Sequence, residues 1–96
     1  MIKAIIIDDE KHCIVTLNHL LAQLDNIEVV AVTQDSTQAK KLIEEYQPNL
    51  VFLDIEMPEM NGFDVINQFE NPKFKVIFTT AYDQYALKAL RLNALD

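Results

Sequence analysis

The stretch VFLDIEMPEMNGFDV, Val51 to Val65, begins as an apolar strand and runs straight into a carboxylate at Asp54. It then spends eight residues, Met-Pro and Asn-Gly among them, before turning apolar again. A strand this apolar belongs inside a sheet, and a carboxylate at its end belongs to whatever that sheet presents at its edge. The neighbouring sequence supplies both the sheet and the edge.

Two β-branched runs of strand length lie upstream, Ile2 to Asp8 (IKAIIID) and Ile27 to Thr33 (IEVVAVT). Asn49 to Asp54 is the third strand and Lys75 to Thr80 (KVIFTT) the fourth. Between the first two, Ile14, Leu17, Leu21 and Leu24 recur at helical spacing with Leu20 beside them, which predicts a helix with one apolar face. A second helix is predicted from Ala39, Leu42, Ile43 and Tyr46, opened by a capping-box pattern at Asp35 and Gln38 and ended by Pro48. A short third helix passes through Phe63, Ile66 and Phe69. A fourth runs from about Asp83 to Asn93, with Ala86, Ala89 and Leu90 on one face. Strands and helices alternate, and the strands are almost continuously apolar. That predicts an α/β fold: a doubly wound parallel sheet between helices, with three α/β/α layers.

The chain has 96 residues, 50% of them hydrophobic, with one Gly and three Pro, a composition that suits one small packed domain. Its net charge of -7 repels a phosphate backbone, so direct nucleic-acid binding by these residues is not expected. No apolar run reaches the roughly 18 to 20 residues that span a bilayer, and the N-terminus has no signal-peptide pattern. A soluble cytoplasmic protein with no membrane partner is the expectation. Cys13 is the single cysteine and cannot found a disulfide framework; it reads as an inert core or boundary thiol. His12 and His19 read as surface or boundary residues of the first helix, with no acidic or Cys partner at metal-ligand spacing.

Parallel strands expose their C-terminal ends along one edge, where open α/β sheets bind ligands. Asp8, Asp9 and Glu10 end the first strand, Asp54 the third, and Thr79 and Thr80 the fourth. If these strands are neighbours, the acids share a pocket with a hydroxyl beside it. Two like charges about 4 Å apart repel by about 4 kcal/mol at an effective dielectric near 20, so such a pocket raises a carboxylate pKa or recruits a cation. Mg²⁺ suits a set of oxygen donors and leaves room for a phosphate oxygen. Asp54 beside it is a candidate nucleophile for phosphoryl transfer. Each feature also has a plainer reading: acids favour a helix's first turn, and Thr is common in strands. Met57, Met60 and the aromatic residues read as core or loop packing.

The segments IIIDDE, VFLDIEMPEMNGFD and VIFTTAYD, in this order and on these strand ends, resemble the receiver domain of bacterial two-component response regulators. The closing TTAYDQYALKALRLNALD further resembles receivers joined to LytTR-type DNA-binding output domains. The resemblance implies the flavodoxin-like strand order 2-1-3-4-5 and a role as phosphoacceptor rather than enzyme. It implies that Asp54 takes a phosphoryl group from a sensor histidine kinase, and that Asp8, Asp9, Asp54 and the main-chain carbonyl of Glu56 hold Mg²⁺. It makes Thr80, which Ala81 follows, the switch hydroxyl, with the Ala81 N–H available to the phosphoryl group. Glu56 and Tyr82 fall at positions that tune phosphate loss. Pro58 bends the chain away from the strand, and Gly62 is expected at positive φ near the start of the third helix.

The family continues into a fifth strand with an aromatic residue and a lysine. A receiver domain spanning 1–96 is therefore expected to lack strand five and helix five, and to associate as a dimer through the surface of the fourth strand and last helix. Two other functions fit the same residues: a pseudo-receiver that binds partners without phosphorylation, and a Mg²⁺-dependent phosphotransferase or nuclease-type enzyme. The enzyme would need a general acid or base, for which Glu56 is the candidate.

Overall fold

The computed structural model describes residues 1–79, which form a four-stranded parallel sheet with helices on both faces. The strands are β1 (Ile2–Ile7), β2 (Ile27–Thr33), β3 (Leu50–Asp54) and β4 (Lys75–Thr79), in the spatial order β2-β1-β3-β4. Each is paired parallel to its neighbour, as the alternation of strands and helices requires. The helix expected over Asp83–Asn93 lies outside the described residues.

Alternate side chains of the central strands point to opposite faces. Ile5 and Ile7 of β1 and Val51 and Leu53 of β3 pack with Ala39, Ile43 and Val65, which belong to α2 (Ala39–Tyr46) and α3 (Gly62–Ile66). Ala4, Ile6 and Phe52 face the other way, onto Ile14 and Leu21 of α1 (Lys11–Leu21). Both faces of β1 and β3 are thus covered, which is why their sequences lack any polar alternation. β2 carries one extra residue against β1: Ala4 pairs with Val29 and Ile5 with Ala31, so Val30 has no partner of its own.

Several element ends differ from the sequence reading. Leu24 lies three residues past the end of α1 and is half exposed, as is Leu20, so Ile14, Leu17 and Leu21 carry that contact. Asp35 does cap a helical turn, but it is a 3₁₀ turn over Ser36–Gln38; its carboxylate accepts from the Thr37 N–H, and Gln38 closes no box. α2 follows directly and ends where Gln47 turns left-handed, at φ 49°, just before Pro48. Tyr46 is exposed rather than part of the buried face. α3 stops at Ile66, so Phe69 lies beyond it and packs edge-on against Phe74 at 5.2 Å.

Candidate functional site

Parallel pairing places the C-terminal ends of β1 and β3 side by side, and Ile7 pairs with Leu53 one residue before each acid. Asp8 and Asp54 follow as buried carboxylates, only 6% and 9% exposed. Asp9 is half-buried beside them, and one oxygen from each of the three acids lies within 4.8 Å of the others. In β4, Thr79 pairs across from Asp54. Thr80 and Ala81 lie outside the described residues.

Helix capping does not account for these acids. Glu10 occupies the N-cap of α1 but its side chain makes no capping bond, and no acid sits in the first turn. Asp8 instead accepts the Glu10 N–H at 2.9 Å, which folds the acidic turn back on itself. The turn is also held from outside: the Gln34 amide donates to the Asp9 carbonyl at 3.2 Å, and the Asp8 N–H donates to Thr33.

On the β3 side the loop is closed at its neck, where the Gly62 N–H donates to the Ile55 carbonyl at 2.8 Å. Asn61 and Asp64 form a reciprocal capping box, each side chain accepting the other's backbone N–H, and so start α3. The buried Ser36 hydroxyl donates to the Pro58 carbonyl at 3.2 Å and pins the loop to the turn before α2. Positive φ falls at Glu59 (68°), not at Gly62. Gly62 is required for a different reason: a Cβ there would stand 2.6 Å from the Asp54 carbonyl oxygen, closer than real contacts allow. Met57 is buried against the core and Glu56 is exposed.

The electrostatics follow from three acids sharing little water. Burial first, then the charge of Asp8 and the adjoining Asp9, push Asp54 up to about 7, with partial relief from the Ile55 N–H. Asp8 is also raised, mainly by burial and against the pull of the Glu10 N–H. A cation would relieve this repulsion. The donors are all carboxylate oxygens, the set that suits a hard ion such as Mg²⁺. The residues present therefore fit that ion.

Sequence reasoning missed one grouping. Glu10, His12 and Cys13 also bring one ligand atom each within 4.8 Å of one another. His12 has both the acidic and the Cys neighbour that its spacing concealed, because the three residues straddle the start of a helix rather than following its repeat.

Comparison with known proteins agrees with this architecture. Residues 4–96 match the family model described as the response regulator receiver domain. The whole chain is 39% identical to an uncharacterized response regulatory protein of Vibrio cholerae, covering 41% of that protein. It is 35% identical to the sensory transduction protein LytT of Bacillus cereus, covering 40% of it. The chain thus spans about two fifths of the length of these relatives. Among solved structures, the response regulator domain of Thermotoga maritima CheB superposes over the whole chain and 75% of its own, with a TM-score of 0.84 at 24% identity. A LuxR-family DNA-binding response regulator of Staphylococcus aureus gives 0.81 at 35% identity, over 95% of this chain and 79% of its own.

Proposed function

Because this chain belongs to the response regulator receiver domains, we propose that Asp54 is its phosphoacceptor, charged by a phosphohistidine of a sensor kinase. The observation that carries this reading is the meeting of Asp8, Asp9 and Asp54 within 4.8 Å at the C-terminal edge of the sheet. Mg²⁺ would be held by Asp8, Asp9, Asp54 and the main-chain carbonyl of Glu56, and when bound it supplies positive charge against the carboxylates and the phosphoryl oxygens.

In the transfer step an Asp54 carboxylate oxygen attacks phosphorus, the P–O bond forms, and the P–N bond to the kinase histidine breaks. The imidazole leaves with the bonding pair and takes up a proton from solvent. Burial of Asp54 limits the water that could hydrolyse the acyl phosphate, while rigid β3 and the closed neck at Gly62 fix the direction of attack. Thr80, the residue after the β4 partner of Asp54, serves as the switch hydroxyl that donates to a phosphoryl oxygen, and the Ala81 N–H donates to another. The new charge and acceptor oxygens bias the fourth-strand surface toward its signalling state.

In this reading residues 1–96 are receiver sequence, and the chain is a signalling phosphoacceptor that assists its own phosphorylation and dephosphorylation. The output is DNA-binding transcriptional regulation of the LytTR type, which the 35% identity to LytT supports. The setting is cytoplasmic; among the described residues no helix is long and apolar enough to cross a membrane. The test is incubation of the full-length protein with Mg²⁺ and acetyl phosphate, followed by intact-mass analysis. A labile phosphoryl adduct is expected on the wild type and not on Asp54→Asn. An unmodified wild type would favour a pseudo-receiver, and turnover of other phosphoesters an enzyme.

A further inference from the structure

The acid pocket is made of oxygen donors alone, but the next turn of chain carries a different set. The His12 Nε2 lies 3.2 Å from the Glu10 Oε2 and 3.6 Å from the Cys13 Sγ. One nitrogen therefore stands at a corner shared by a carboxylate oxygen and a sulfur.

Those separations have a metrical meaning. Ligands at about 2.3 Å (sulfur) and about 2.0–2.1 Å (nitrogen, oxygen) from a tetrahedral Zn²⁺ lie about 3.6 Å apart for the S–N edge and about 3.3 Å for the N–O edge. The observed separations, an ion pair at 3.2 Å and a hydrogen bond at 3.6 Å without the metal, are close to such edges, so an ion could replace both contacts with little movement of the side chains. The third pair, sulfur and carboxylate oxygen, also lies within 4.8 Å. A fourth position is open to solvent, since the Glu10 and His12 side chains are 58% and 77% exposed.

We propose that Glu10, His12 and Cys13 form a second cation site, one that takes a thiophilic divalent ion of the Zn²⁺ class and completes its tetrahedron with water. Zn²⁺ binding to the neutral thiol releases one proton to solvent, and the resulting thiolate and carboxylate balance the two positive charges. Burial first, and then the charge of Asp8, Glu10, Asp54 and Asp9, push the Cys13 thiol up, so the ion must displace the proton; the same negative charges attract the cation that does so. Donor softness separates the two sites, because sulfur and imidazole select Zn²⁺ over Mg²⁺, while the three carboxylates do the reverse. The sites are also mechanically joined, since the Glu10 N–H that begins the second site donates to the Asp8 carboxylate of the first. This proposal stands whether or not Asp54 is phosphorylated.

Co²⁺ and Zn²⁺ are the probes. Reduced, metal-free full-length protein titrated with Co²⁺ should develop a thiolate-to-cobalt charge-transfer band that Zn²⁺ abolishes and excess Mg²⁺ leaves in place. Cys13→Ser should lose the band, and His12→Ala should weaken Zn²⁺ binding at least tenfold in competition with a chromophoric chelator, each with an unchanged circular dichroism spectrum. Asp54→Asn should retain the band. Loss of the band in Asp54→Asn, or Zn²⁺ affinity equal in wild type, Cys13→Ser and His12→Ala, would overturn the assignment.

Discussion

Removing the Asp54 carboxylate is expected to stabilise the metal-free protein. Asp54 is 9% exposed, and its pocket mates Asp8 and Asp9 each bring an oxygen within 4.8 Å of it. At that separation one like-charged pair costs about 3–4 kcal/mol at an effective dielectric of 20 and about 1 kcal/mol at that of water. The titration behaviour gives a second measure. Raising Asp54 from 3.8 to about 7 corresponds to at most about 4 kcal/mol between its two protonation states. The sign is set by proton uptake: the folded state holds this proton more tightly than the unfolded chain, so the stabilisation is fully present below about pH 4 and is lost as pH rises through 7. At pH 8 in EDTA the wild type therefore carries the whole repulsion, whereas Asp54→Asn does not. We expect Asn to gain about 2–3 kcal/mol there, which raises Tm by about 10–20 °C for a domain of this size. The gap should narrow to a few degrees at pH 5, where the wild type has taken up its proton. Mg²⁺ should stabilise the wild type at pH 8 and leave the variant nearly unmoved. Thermal melts by circular dichroism at pH 5 and 8, with EDTA or Mg²⁺, measure all of this. A variant that melts at or below the wild type at pH 8 in EDTA, or a gap indifferent to pH, would refute the reasoning.

Two further substitutions probe the loop that follows Asp54. Gly62→Ala drives a methyl group against the Asp54 carbonyl, which rigid backbone cannot yield cheaply; a loss of about 1–3 kcal/mol is expected by urea denaturation, with slower labelling by acetyl phosphate. Asn61→Ala removes one half of the capping box of α3 and should cost about 1 kcal/mol by the same measurement, an effect that Asn61→Asp should largely restore.

The sheet was legible because fully buried strands leave a dense signal: the Ile, Val, Leu and Phe runs of β1 and β3 can hardly be anything else. The same density concealed which side chain faces which helix, a matter decided by register rather than composition. The acids at the strand ends were readable, since parallel pairing forces the ends of neighbouring strands together. Helix ends were read less well. Leu24 and Tyr46 continue an apolar repeat past the point where α1 stops and onto an exposed turn of α2, because spacing alone does not say where a partner surface runs out. Gly62 was misread for a related reason. A glycine near a turn suggests a left-handed dihedral, whereas its role here is a contact with a carbonyl eight residues earlier, which no local pattern encodes. Pro58 was a better signal, since bending the chain is a local act, whereas the Asn61 cap of α3 went unread.

The closed neck at Gly62 also bears on how the protein can change over time. The Gly62 to Ile55 hydrogen bond ties off Glu56 to Asn61 as a lariat, with its knot pressed onto the peptide of Asp54. Inside the noose, exposed Glu56 faces solvent and is free to drift, carrying new surface chemistry to the doorstep of Asp54, whereas Glu59 is exposed but held at φ 68°, which narrows what can replace it. The knot has no such freedom. Variation in this region is thereby channelled: exposed positions on the rim of the pocket can be rewritten while Asp54 at its floor stays where it is.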